Sequence, residues 1–186
     1  DSGGIDIAST VASLSFVGSA GASSVDIDAP SATTLALAAT VSALQTSFDV
    51  DFEGVGTAAT IDVGAGVESL TLRANASTEV TVDASTASAL TSIRLTSVNS
   101  NPTVTATSAA VMNYDGSSQT DTVSLKLAAG ADIDLGAGDD ELTVAPTPGA
   151  SAVISGDAGI DTIVLPSDSV VEIIEISSLS DLGTLR

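Results

Sequence analysis

Short runs of alternating apolar and polar residues recur from one end of the chain to the other. An extended backbone points successive side chains to opposite faces, so this period of two predicts β-strands with one buried face. Glycine, aspartate, asparagine, serine and proline separate the runs and favour turns. Only residues 34–45, 86–90 and 177–182 could instead form a helical turn or two. The pattern therefore predicts an all-β protein, with strands near residues 13–17, 25–28, 48–52, 60–63, 69–72, 80–83, 93–95, 123–127, 133–135, 142–144 and 163–165.

The turn sequences separate the possible all-β architectures. Many short strands suit a sandwich, a barrel or a solenoid, and hairpin signals would favour the first two. Such signals are sparse, because Asn-Gly is absent and Asp115-Gly116 is the only Asp-Gly. Repetition is present instead. In residues 63–70, 135–142 and 156–163 a glycine is followed two residues later by an acid, and the acid two residues later by an apolar residue. We therefore predict a parallel β-solenoid (β-roll or β-helix) of short strands joined by Gly-Asp turns.

The spacing of these segments gives the length of one rung. Asp121, in a degenerate further copy, lies 19 residues before Asp140, and Asp140 lies 21 residues before Asp161. Each interval contains one more strand, near Ile133 and Ile154, so a rung has two strands and two turns. A rung of two nonapeptides has about 18 residues. Because no linker interrupts the pattern, we predict one domain over residues 1–186, which could be a module or fragment of a longer surface protein.

The segments at 135–142 and 156–163 resemble the glycine- and aspartate-rich nonapeptide of RTX proteins. The resemblance implies that turns on neighbouring rungs surround a structural Ca²⁺ with oxygen ligands. In the segment at 63–70, Glu68 stands where the motif has aspartate. The predicted metal-site residues are Gly136, Gly138 and Asp140 in one turn, and Asp157, Gly159 and Asp161 in the next. The alternative is that these are ordinary Gly-Asp turns in a metal-free solenoid.

The wider composition is similar to the Ala/Thr/Ser/Val-rich solenoids of calcium-dependent bacterial S-layer proteins and related surface adhesins. This resemblance covers roughly residues 55–176 and is mostly compositional. It implies calcium-dependent folding and assembly into a lattice outside the cell. The absence of cysteine fits the exterior of a bacterium.

Charge argues against several classes of partner. Four basic residues face 24 acidic ones, which gives a formal net charge of −20. No basic patch for nucleic acid can be built from four cations, and an anionic membrane surface would repel the chain. No apolar run approaches the roughly 18 residues that a membrane helix needs, so we expect no direct membrane insertion.

The sequence also argues against catalysis. Histidine and cysteine are absent, which removes most nucleophile–base pairs. Carboxylate pairs such as Asp132 and Asp134 could hydrolyse glycosides, but sugar sites need aromatic platforms and only 2% of the residues are aromatic. On a strand, residues two apart share a face, which here is most simply the solvent face.

We therefore expect a non-enzymatic, structural, self-assembling extracellular protein, an S-layer or matrix subunit with structural Ca²⁺. One alternative is an adhesin-type binding module that recognises a cell-surface glycan. Another is a phage virion component, in a capsid decoration or a tail.

Overall fold

A computed structural model describes most of the chain, and every regular element in it is a β-strand. The backbone is described for residues 4–6, 13–18, 23–28, 34–39, 46–53, 59–75, 79–96, 98, 100–145, 151–165, 173–176 and 182–185. Side chains are described for residues 47–50, 60–73, 79–96, 98, 100–145 and 151–165. No helix occurs within these residues, and so none that could cross a membrane.

The strands follow one another at short intervals along the chain. They are β1 (Gly4–Asp6), β2 (Ser13–Gly18), β3 (Ser23–Asp28), β4 (Thr34–Ala39), β5 (Thr46–Glu53), β6 (Ala59–Val63), β7 (Ser69–Asn75), β8 (Val80–Asp83), β9 (Ser92–Thr96), β10 (Thr103–Asp115), β11 (Thr122–Asp134), β12 (Glu141–Ala145), β13 (Ser151–Ser155), β14 (Asp161–Val164), β15 (Ile173–Ile176) and β16 (Leu182–Leu185).

All strand pairs are parallel, and they form two sheets. The front sheet consists of β1, β3, β5, β7, β9, the C-terminal parts of β10 and β11, β13 and β15. The back sheet consists of β2, β4, β6, β8, the N-terminal parts of β10 and β11, β12, β14 and β16. The chain alternates between the sheets, so the predicted parallel β-solenoid with two strands per rung is confirmed.

The rungs differ in length because their turns differ. Residues in register on neighbouring rungs are 19 residues apart at Thr122 and Glu141, and 26 apart at Thr34 and Thr60. Strands β10 and β11 have 13 residues each and continue through the edge from the back sheet to the front sheet. Gly130, with a φ of +77°, lies between the part of β11 in the back sheet and the part in the front sheet. Glycine adopts this left-handed conformation without the steric cost of a Cβ.

Ladders of inward-facing side chains form the core, and one long ladder runs under each sheet. Every second strand residue points inward and stacks on the residue in register one rung away. Each ladder residue is at most 2% exposed, and burying a large apolar side chain contributes roughly 1.5–3 kcal/mol. The front ladder is Phe48, Leu70, Ile93, Tyr114, Ile133 and Ile154, and the back ladder is Ile61, Val82, Val104, Val123, Leu142 and Ile163.

The helical turns that the sequence permitted are not observed where the structure is described. Residues 34–39 form β4, which pairs with β2 and β6 in continuous register. Residues 86–90 lie in two successive tight turns that span residues 84–90, in which Ala87 N–H donates to the Ala84 carbonyl and Leu90 N–H to the Ala87 carbonyl. Stacking between rungs outweighs the weak helical propensity of these alanine-rich segments. Of the third segment, residues 177–181 lie outside the described residues and Leu182 begins β16.

Candidate metal centre

Three turns stack on one another where the chain passes from the front sheet to the back sheet. We call residues 116–121 the first turn, 135–140 the middle turn and 156–161 the last turn. Main-chain hydrogen bonds join each turn to the next, so the three form one continuous turn stack. The bonds run from Ala137 N–H to the Ser117 carbonyl (3.2 Å), from Leu135 N–H to the Ser155 carbonyl (2.9 Å), and from Gly138 N–H to the Ala158 carbonyl (2.7 Å).

Glycines allow the turns to pack backbone against backbone. A Cβ at Gly159 would collide with the carbonyl oxygen of Gly138, and one at Gly138 would collide with that of Gln119. Gly136 and Asp157 occupy the same position in their turns, and both have left-handed φ values, +85° and +55°. Asp157 therefore takes a conformation that favours glycine, which aspartate tolerates better than most residues. The glycine pattern of the sequence thus has a direct steric cause.

Three aspartates share one inward-facing position at the end of these turns. Asp121, Asp140 and Asp161 are 0%, 1% and 0% exposed. Asp121 N–H donates to Asp140 Oδ1 at 2.7 Å, and Asp140 N–H donates to Asp161 Oδ1 at 3.0 Å. The carboxylates of Asp140 and Asp161 therefore each bond to the main chain of the preceding rung. We call these three residues the aspartate stack.

The middle carboxylate is not fully satisfied by the protein. Asp140 Oδ2 is buried and has no hydrogen-bond partner. Burial, together with the nearby charges of Asp121, Asp161 and Asp139, raises the pKa of Asp140 from 3.8 to about 7. A buried carboxylate of this kind needs a proton or a cation to compensate its charge.

The carboxylate of Asp121 is in a different situation. Its Oδ2 accepts hydrogen bonds from the Tyr114 hydroxyl at 2.9 Å and from Ser117 N–H at 3.0 Å, and its Oδ1 accepts one from the Ser117 hydroxyl. Burial raises the pKa of Asp121, while the bonds from Ser117 and Tyr114 oppose the rise. Protein donors therefore occupy both oxygens of this carboxylate and offset part of the cost of its burial.

The six residues predicted from the sequence all lie in the middle and last turns. Asp140 and Asp161 point inward, whereas Asp157 is exposed, and its carboxylate accepts a bond from the Ser155 hydroxyl at 2.8 Å. The structure thus brings two of the predicted carboxylates together at the buried position and leaves Asp157 at the rim. The remaining three are Gly136, Gly138 and Gly159, which supply the close backbone contacts.

The segment at 63–70 does not belong to the stack. It connects β6 of the back sheet to β7 of the front sheet, so it lies at the opposite edge of the solenoid. Gly66 has a left-handed φ of +89°, and the Glu68 carbonyl accepts hydrogen bonds from Thr91. The shared sequence pattern therefore marks a glycine turn at both edges.

Sequence reasoning missed Tyr114 and Ser117. The 19-residue interval from Asp121 to Asp140 placed Asp121 in a copy of the turn. Nothing in that interval indicated that a tyrosine seven residues earlier would reach the carboxylate.

The oxygen donors of the middle and last turns fit calcium in kind. Within the residues that the structure describes, no group of three or more histidine, cysteine, aspartate or glutamate side chains could hold a metal ion by itself. A site here would therefore combine carboxylate oxygens with main-chain carbonyls of the turns. Calcium accepts six to eight such oxygens in flexible geometry, whereas zinc and copper prefer nitrogen and sulfur ligands.

Two acids close to the turn stack, Asp132 and Asp134, lie on the solvent side of the front sheet. Asp132 is exposed, and Asp134 is in register with Asp115. Burial, with the charges of Asp157, Asp115 and Asp132, raises the pKa of Asp134, although its bond from Gly136 N–H at 3.0 Å opposes the rise. Asp115 pairs with Arg94 at 2.7 Å.

Comparison with known proteins gives no assignment: the chain matches no protein-family model, no curated protein and no solved structure.

Proposed function

We propose that this chain is a structural, self-assembling extracellular protein, an S-layer or matrix subunit, in which Ca²⁺ stabilises the turn stack. The observation that carries the proposal is the buried Oδ2 of Asp140, which has no hydrogen-bond partner and lies between two further buried aspartates. Packing alone does not require these acids, because buried charges without compensation destabilise a fold.

In this proposal the ion joins the middle turn to the last turn. Asp140 and Asp161 contribute carboxylate oxygens, and the turns around Gly136, Gly138 and Gly159 contribute main-chain carbonyls. Asp157 contributes the left-handed turn conformation rather than a buried ligand. Because its ligands come from two turns, the ion links two rungs. It also supplies positive charge to a stack that otherwise holds three buried acids.

Assembly and location rest on the resemblance to S-layer solenoids, with support from shape and charge. Parallel solenoids present flat, repetitive faces, which suit lattice contacts. A net charge of −20 makes copies of the chain repel one another unless cations intervene. Extracellular modules bind calcium with dissociation constants of roughly 10⁻⁴ to 10⁻³ M, so such a stack would fill with ion outside a cell.

Thermal unfolding in calcium and in EGTA tests the ion. With a dissociation constant near 10⁻⁴ M, about 10 mM Ca²⁺ would add roughly 2.7 kcal/mol. For a domain of this size that is a rise in melting temperature of about 5–10 °C. Asp140→Asn should remove the rise. Asp132→Asn, which changes an exposed acid and alters the net charge equally, should keep it. Equal melting curves for the unaltered protein in calcium and EGTA would rule out the structural ion.

Light scattering and negative-stain electron microscopy of the same samples test assembly. Ordered sheets or filaments that form only with Ca²⁺ would support the structural role. A protein that stays monomeric in Ca²⁺ and binds a glycan on an array would instead favour the adhesin alternative.

A further inference from the structure

The aspartate stack ends at Asp121 because the residue one rung earlier is a proline. In the stack, a carboxylate accepts the N–H of the stack residue one rung earlier. The residue at that position before Asp121 is Pro102, since Thr122 N–H donates to the Pro102 carbonyl just as Glu141 N–H donates to the Asp121 carbonyl, both at 2.9 Å. Proline has no N–H. The Asp121 carboxylate therefore cannot repeat the bond that its two partners make.

Three other donors take the place of the missing N–H. The Tyr114 hydroxyl, Ser117 N–H and the Ser117 hydroxyl all donate to Asp121, and they occupy both carboxylate oxygens. Tyr114, Ser117 and Asp121 are 2%, 5% and 0% exposed, so water does not compete for these bonds. Hydrogen bonds to an ionised carboxylate are the stronger kind, and several of them stabilise the charged form without a cation.

We propose that Pro102, Tyr114 and Ser117 terminate the aspartate stack, so that Asp121 is held by hydrogen bonds from the protein and binds no ion. We call this arrangement the lock. The ion-binding part of the stack begins at Asp140. The contrast between the two carboxylates carries this inference: both oxygens of Asp121 have donors, whereas Asp140 Oδ2 has none. Only the statement about ions rests on the proposed function. The lock itself is a property of the ion-free protein.

The lock is tested first in EGTA with a double-mutant cycle. Tyr114→Phe and Asp121→Asn should each lower the folding equilibrium constant by about 10- to 100-fold, the range for buried hydrogen bonds to a charged group. The double variant should lose less than the sum of the two single losses, because Tyr114→Phe removes the bond between these residues and Asp121→Asn removes the charge that strengthens it. Additive losses would overturn the lock. If Asp121→Asn does not fold, Asp121→Val replaces it in the cycle, since Val80 occupies this stack position on another rung.

Isothermal titration calorimetry with Ca²⁺ then tests whether the ion-binding part of the stack includes Asp121. Tyr114→Phe and Asp121→Asn should keep the calcium stoichiometry of the unaltered protein, whereas Asp140→Asn should lose an ion. A lower stoichiometry in Asp121→Asn would place an ion in the first turn and overturn the inference, while the calcium proposal would stand. If the unaltered protein binds no calcium, the calcium proposal fails and the EGTA cycle alone decides the lock.

Tyr114 also supplies a readout that a purely steric role would not change. It is the only tyrosine, and the chain has no tryptophan, so tyrosine fluorescence reports on this hydroxyl. Asp121→Asn should change the emission in EGTA, and Ca²⁺ should leave the emission of the unaltered protein unchanged. A calcium-dependent change that Asp121→Asn abolishes would mean that the ion reaches the first turn.

Discussion

Replacing Asp140 by asparagine should stabilise the ion-free protein at pH 8. Burial and the neighbouring acids raise the pKa of Asp140 from 3.8 to about 7. This rise corresponds to a cost of about 4 kcal/mol, as an upper bound, for holding the ionised group in the folded state. Asparagine has the same shape, and its carbonyl can still accept the N–H of Asp121, which now reaches Oδ1 at 2.7 Å. The substitution therefore removes the charge and keeps the bond.

The sign of the pH dependence follows from the same shift. The folded protein binds this proton more tightly than the unfolded chain, because the folded pKa is the higher one. The contribution of Asp140 to stability is thus complete below about pH 4 and is lost as the pH rises through about 7. In EGTA the unaltered protein should be less stable at pH 8 than at pH 5, and Asp140→Asn should lack much of this difference. Asp121 and Asp134, whose pKa values are also raised, retain a part of it.

Urea unfolding at the two pH values measures the effect. Asp132→Asn serves as the control, because it changes the net charge equally at an exposed position and should keep the pH dependence of the unaltered protein. A variant at position 140 that loses the same free energy of unfolding at both pH values would refute the reasoning. It would mean that the carboxylate stabilises the ion-free fold by hydrogen bonding rather than straining it by charge.

Four further substitutions test the packing of the rungs. Gly159→Ala should lower the free energy of unfolding by roughly 2–4 kcal/mol, because the added Cβ meets the Gly138 carbonyl. Gly130→Ala, which has a left-handed φ but open space around it, should lower it by only about 1 kcal/mol. Chemical denaturation compares the two variants, and equal losses would contradict the collision at Gly159. Asp157→Gly removes a left-handed aspartate and should raise the free energy of unfolding by at most about 1 kcal/mol. The calcium-induced rise in melting temperature should be retained, and its loss would mean that the Asp157 carboxylate is a ligand. Leu70→Ala, at 0% exposure, should cost about 2–5 kcal/mol by urea unfolding, and a loss below 1 kcal/mol would mean that the ladder closes around the gap.

The regular part of the fold was predictable because it repeats. A period of two within strands and the 19- and 21-residue intervals between Asp121, Asp140 and Asp161 were enough to predict the parallel rungs. The edge at which a glycine turn lies was not predictable. The segment at 63–70 has the same local pattern as the middle turn, but its edge depends on the number of strands before it.

The lock could not be predicted for a related reason. Tyr114 belongs to the front ladder by its register with Ile93 and Ile133. Its hydroxyl also donates to Asp121, which lies seven residues later at the end of the first turn. A sequence pattern records which face a residue occupies, but not which group a long side chain meets there.

The stack position itself shows that the solenoid does not need acids there. One rung before Pro102, the corresponding residue is Val80, which is fully buried, since Thr81 and Thr103 are in register. One rung after Asp161, the residue in register is Leu182. The same fold thus accepts an apolar residue at this position, and replacing buried charges by apolar side chains is often neutral or stabilising. The packing of the rungs therefore does not explain three consecutive aspartates between Pro102 and Leu182. The proposed ion at Asp140 and Asp161, with the proposed lock at Asp121, would explain them.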